Sequence, residues 1–79
     1  MTNNILSEFS LFYIANPELT QVVDCVDYKA NEITGWRQLT PDIKGICFHT
    51  KEAAEEFANK LENLLSYKII KGTIQVEVV

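Results

Sequence analysis

Cys47 and His49 are the pair in this chain whose types and spacing could do chemistry. Two positions apart on a strand, their side chains share a face, and a thiol beside an imidazole is the minimum of a nucleophile with its base. With Cys25 and Asp24 added, the same residues could complete a zinc site. Each reading lacks a part. A thiolate dyad needs a third group to orient the imidazole and a cleft to work in, and Cys-x-His spacing is common by chance. His49 also stands at the entry to a helix, where the positive end of the dipole opposes its protonation. The expectation is therefore structural: a buried Cys47 beside a half-exposed His49, with no metal, no cofactor and no catalytic role. No export signal precedes the cysteines, so two buried free thiols are expected rather than a bridge, although facing strands would permit one.

The remaining candidates are weaker. Asp24, Asp27, Glu32 and Asp42 are carboxylates spread over different elements, and no Asp-x-Asp-x-Asp-Gly loop gathers them for a hard cation. They read as solvated strand edges and turns, where charge discourages edge pairing. Gly35, Gly45 and Gly72 form neither a GxGxxG nor a P-loop pattern, so nucleotide binding has no motif behind it. With a single histidine, no Ser-His-Asp constellation is credible.

The elements that must position these residues are clearest around one helix. Ala53, Ala54, Phe57, Ala58, Leu61, Leu64 and Leu65 recur at three- and four-residue spacing and predict a helix over residues 50–65. Thr50 is its N-cap, Glu52, Glu55 and Glu56 complement the dipole, and Glu56 with Lys60 makes the favoured i,i+4 pair. Phe57 and Leu61 lie at the centre of the stripe and are expected to be its most buried residues. Strands are predicted over 8–15, 33–39 and 43–49 before the helix, and over 67–70 and 73–79 after it, with Gly72 marking a bulge or a turn. Residues 17–28 have two readings. Asn16 with Pro17 could open a helix with Leu19, Val22, Val23 and Val26 on one stripe, or make a turn into a strand from Gln21 to Tyr28. Thr20, Val22, Val23, Cys25, Val26 and Tyr28 are mostly good strand formers, which favours the strand. Turns are expected at Lys29–Glu32 and at Thr40-Pro41-Asp42, the latter closed by the Asp42 side chain. The fold class is then α+β: a mainly antiparallel meander of about four strands, the helix, and a C-terminal strand. The alternative is a ferredoxin-like βαββαβ order with a second helix near Pro17–Asp27.

Seventy-nine residues make a single domain, residues 1–79, that buries roughly 60–65% of its unfolded surface. Hydrophobic residues at 47% and charged residues at 23% exclude a disordered chain. A net charge of −4 disfavours nucleic acid, because an acidic surface repels the phosphate backbone. No apolar run approaches the ~20 residues of a membrane span, and Met-Thr-Asn-Asn has no signal-peptide character, so a cytoplasmic location is expected.

Helices on one side of a sheet should leave its other face polar. The first strand departs from that rule: Phe9, Leu11 and Tyr13 point one way, Phe12 and Ile14 the other. In the second, Val22, Val26 and Tyr28 oppose Val23 and Cys25. Something must cover the second face, either a partner or the sheet itself, curled into a small barrel. The stretch from Lys44 to Ala58, followed by Gly72-Thr-Ile-Gln-Val-Glu77, resembles the second half of an RNA-recognition motif domain. That resemblance covers less than half of the chain and implies an RNA-binding sheet. Ile46 replaces the aromatic that would stack a base there. The same stretch is similar to the closing strand and helix of pleckstrin-homology-like domains.

Function is accordingly expected to lie in contact rather than catalysis. The sequence reads as a small acidic interaction protein, not an enzyme, of inhibitor or regulator type. It would bind a protein partner or itself as a homodimer through an apolar sheet face. In size and acidity it is similar to small phage-encoded inhibitors of host enzymes. Phe12 and Ile14 are the expected contact residues because they oppose the set assigned to the helix, and Phe9 with Leu11 takes their place if the parity is reversed. Tyr13 and Trp36 are the expected aromatic anchors. Trp36, between Gly35 and Arg37, is expected to be partly exposed. The alternative function is an RNA-recognition-like nucleic-acid-binding domain.

Overall fold

A long first strand organises everything else. The structure, a computed structural model, describes residues 5–77 and the side chains of all of these except 5–8, 75 and 77. The elements are β1 (Ile5–Ala15), β2 (Gln21–Asp27), β3 (Glu32–Gln38), β4 (Cys47–Phe48), α1 (Lys51–Lys60) and β5 (Lys68–Glu77). The fold is α+β, with five antiparallel strands and one helix. β5 runs along one edge of β1 from Ala15↔Lys68 to Ile5↔Glu77. The other edge of β1 is shared: Ala15 pairs with Val22 of β2, while Phe12 and Tyr13 pair with Phe48 and Cys47 of β4.

The strand reading of residues 21–27 holds. Asn16 makes the turn that reverses the chain: its side-chain oxygen accepts from the amides of Thr20 and Gln21, both at 2.9 Å. Its amide N–H donates to the Gln21 carbonyl, and Leu19 takes a left-handed conformation with φ of 58°. At the next turn the Asp27 carboxylate accepts from the amides of Lys29 and Ala30. At Thr40–Asp42 the arrangement differs from expectation, because the Thr40 hydroxyl donates to the Asp42 carbonyl.

β4 does not extend the meander beside β3. β2 carries register irregularities between Val23 and Val26, which turn the β2–β3 hairpin away from β1. β4 enters the resulting wedge: the Ile46 amide donates to the Val23 carbonyl at 3.1 Å on one side, and β4 pairs with β1 on the other. Gly45 makes this approach feasible. Its φ is 141°, and a Cβ there would stand 2.8 Å from the Val23 carbonyl oxygen. The expected strand over 43–49 is cut to two residues by this kink. In contrast, the two strands expected over 67–79 are one, with Gly72 in register opposite Leu11, and Val78 and Val79 lie outside the described residues.

The helix begins as predicted, with the Thr50 hydroxyl accepting from the Ala53 amide at 3.1 Å. It ends five residues early. Leu61 turns to an extended ψ of 122°, and the next two residues bond to β3 instead of to the helix. The Glu62 amide donates to the Asn31 carbonyl at 2.7 Å, and the Asn63 side chain bonds both backbone groups of Ile33, at 2.8 and 3.0 Å. Three tertiary hydrogen bonds thus replace the last helical turn. Leu65, assigned to the stripe by spacing, is consequently 98% exposed.

Two clusters form the core, one on each face of the sheet. Under the helix, Ile14, Val23, Ile33, Ala54, Ala58 and Leu61 are buried, with Phe12, Ile46, Phe48 and Phe57 packed against them. Leu61 meets the expectation of burial. Phe57 is only partly buried and is outranked by Ala54 and Ala58, because it lies across Phe48 and Tyr28 at the rim, ring centroids 5.2 and 6.1 Å away. On the opposite face, Tyr13, Ala15 and Val22 are buried beneath Leu39 and Ile43, alongside Leu11 and Ile70.

The molecule extends over 50 × 21 × 19 Å, and its radius of gyration of 14.5 Å exceeds the roughly 12 Å of a compact chain of this length. The excess length lies along the paired strands β1 and β5, which outrun the helix and the Leu39–Ile43 segment.

Candidate interaction surface

The parity of β1 decides which side chains are available. Phe12 and Ile14 face the helix, so they are core residues, and the expected assignment of faces is reversed. Ile14 is fully buried, and Phe12 is half-buried against the helix cluster. Tyr13 faces the other way but is only 5% exposed, since the chain's own Leu39 and Ile43 cover it. Trp36 is 36% exposed, as its polar neighbours suggested, but its cross-strand partner is Val23, a residue of the helix cluster. The structure therefore does not gather Phe12, Tyr13, Ile14 and Trp36 into one surface.

Phe9 and Leu11 take the open place. Cross-strand pairing sets Phe9 opposite Ile74 and Leu11 opposite Gly72, on the face that carries Tyr13 and Ile70. Further out along the pair, Phe9 is 54%, Ile74 49% and Val76 42% exposed. Phe9, Ser10, Leu11, Ile74 and His49 line an open groove of about 510 Å³ there. Towards the hub a smaller cavity of about 100 Å³ follows, between Tyr13, Ile43, Gly72 and Ile74. On the reverse face, Ser10 pairs with Thr73. The distal ribbon is thus apolar on one side and has exposed polar residues on the other. Sequence reasoning found Phe9 and Leu11 as the alternative set. It missed Ile74 and Val76, whose alternation was visible but whose partner strand was not.

The chemical candidates are dispersed. Cys25 and Cys47 are free and both exposed, which corrects the expectation that they are buried. Cys25 lies where the β2 register is irregular, with its side chain against Gly35. Cys47 pairs with Tyr13 on the face away from the helix. His49 is exposed at the groove. Asp24 is engaged by Arg37 at 3.2 Å. Among the described residues no group of three His, Cys, Asp or Glu side chains could hold a metal ion.

The surroundings of Tyr13 shift its titration. Burial pushes its phenol above the ordinary value of 10.0, and the charges of Cys47 and Asp42 push in the same direction. Ile46, the position that the RNA-recognition resemblance would use for stacking, is packed against the helix cluster. No helix of the described residues is long and apolar enough to cross a membrane. Compared with known protein families, with curated proteins and with solved structures, the chain matches none.

Proposed function

We propose that this protein is a small, acidic, non-catalytic interaction module of the cytoplasm, an inhibitor or regulator that binds a protein partner or a second copy of itself. One observation carries the reading: the apolar side of the distal β1–β5 ribbon, Phe9, Ile74 and Val76, stays about half-exposed, because the Leu39–Ile43 segment comes no further than the small cavity it shares with Ile74. Small monomeric domains seldom leave branched and aromatic side chains clustered on one face without a use for them. The ribbon's geometry adds to this. A strand pair that projects from a packed hub offers an apolar face together with free backbone edges, the two features by which proteins add strands to one another.

The test is a charge on the open face. Phe9→Asp should abolish stoichiometric binding of a purified partner protein on this face. The circular dichroism spectrum and melting temperature of the monomer should stay unchanged, because Phe9 is largely solvated already. A variant that binds the partner as the parent does would remove the ribbon face from the function.

A further inference from the structure

Three stretches of sheet edge face outward: that of β3, that of β5, and the distal edge of β1 over residues 5–11, which β2 and β4 do not reach and which carries the register shift between Ile5 and Ser7. The edge of β3 is strapped at Asn31 by the Glu62 amide and at Ile33 by the Asn63 side chain. Among the described residues, the outer edge of β5 has no strand or loop bonded to it over Lys68–Glu77. It is ten residues long, contains no proline, and pairs with β1 without a register shift from Lys68 to Val76. Over Lys68–Val76 it has neither bulge nor proline to keep another strand away, and the charges it carries, Lys68 and Lys71, call for an acidic partner position.

We propose that β5 is the dimerisation edge of this protein, pairing antiparallel with β5 of a second copy about a two-fold axis at Ile74. The occupant follows from the strand's own order of residues, Lys68-Ile-Ile-Lys-Gly-Thr-Ile-Gln-Val-Glu77, basic early and acidic at the end. An antiparallel copy sets basic positions against acidic ones, whereas a parallel copy sets like against like. For both copies to show their apolar face on the same side, the axis must run perpendicular to the sheet, and each residue on it then faces itself. Among those registers, the one centred on Ile74 places Lys71 opposite Glu77. It also places Val76 opposite Gly72, the one position of the strand that has no side chain of its own, and Ile74 opposite Ile74. The two hubs then lie at opposite ends of a joined four-stranded ribbon and do not collide. The dimer rests on the interaction reading above and names the occupant and register of the β5 edge; it leaves the Phe9, Ile74 and Val76 faces of both copies open on one side of the joined ribbon.

Charge reversal and its rescue test this register. Lys71→Glu and Glu77→Lys alone each set like charges opposite one another twice in the dimer and should weaken it roughly tenfold in sedimentation equilibrium. The double variant restores the opposition and should return to within about twofold of the parent, a rescue that no general loss of charge would give. Unchanged dimerisation in both single variants would overturn the register. A chain that stays monomeric at its highest soluble concentration would overturn the dimer altogether. If that monomer still binds a partner protein in a Phe9-dependent manner, the interaction function survives without the dimer; if it binds none, both fall.

Discussion

The same two strands behave as two different materials along their length. Near Tyr13, Ile14 and Ala15, β1 is covered on both faces, by the helix on one and by Leu39 and Ile43 on the other. A few residues toward the N-terminal end of β1, Phe9 and its partner Ile74 are buried by neither cover. Side-chain chemistry does not explain the difference, since both halves carry aromatic and branched residues. Reach does: the helix is ten residues long and the covering segment shorter still, whereas the β1–β5 pairing runs the full length of β1. Apolar residues at the hub therefore stabilise the fold, and those on the ribbon are left half-exposed to solvent.

The largest test of that division compares two truncations in the monomer. Ile14→Ala removes a fully buried side chain and should cost about 2–5 kcal/mol in equilibrium denaturation. Phe9→Ala, on the same strand but facing solvent, should change stability by less than about 0.5 kcal/mol. Comparable losses at the two positions would mean that the ribbon is packed in solution and that the two halves are not distinct.

Gly45 tests how the hub is closed. Any side chain there must adopt a φ of 141°, in a backbone region that essentially only glycine occupies, and must meet the Val23 carbonyl oxygen and a Val22 methyl carbon. Gly45→Ala should cost about 2–4 kcal/mol, combining backbone strain with overpacking. Amide exchange should rise at Ile46, whose bond to Val23 anchors β4 in the wedge. Gly72→Ala meets side-chain atoms of Ile43 and Tyr13 at 3.3 Å and no backbone atom, and should be milder. Equal costs at the two glycines would argue against the wedge.

How much of this could be read beforehand divides along the same line. The helix start at Thr50, the turn at Asn16 and the alternation of the C-terminal strand are local, encoded by capping, turn chemistry and period, and all three were legible. The helix end was not, since Asn63 leaves the helix for β3, thirty positions away, and nothing around Asn63 announces that bond. Nor was the face of Phe12 and Ile14, because a period of two fixes which side chains oppose one another without saying which set meets the helix. Apolar residues on both parities of β1 did signal a second cover correctly. That the cover would be Leu39 and Ile43 at one end, with no described segment over the other, depends on where β4 enters the sheet, and Gly45 governs that entry through a backbone angle.

The smallest expected effect concerns Tyr13, at the inner limit of the open face. Burial favours its neutral phenol, and negative charge on Cys47 and Asp42 adds to the preference, so its folded value lies above the unfolded 10.0. Below pH 10 the phenol is protonated in both states, and its contribution to stability is fully present. As pH rises past 10 the unfolded chain releases its proton first, so stability falls and is lost through the folded value. Urea unfolding between pH 8 and pH 11 should therefore show a decline at the alkaline end that Tyr13→Phe reduces. If instead Tyr13→Phe leaves that slope unaltered, the phenol is reached by water in solution. The boundary between the covered hub and the open ribbon would then have to be drawn closer to Ala15.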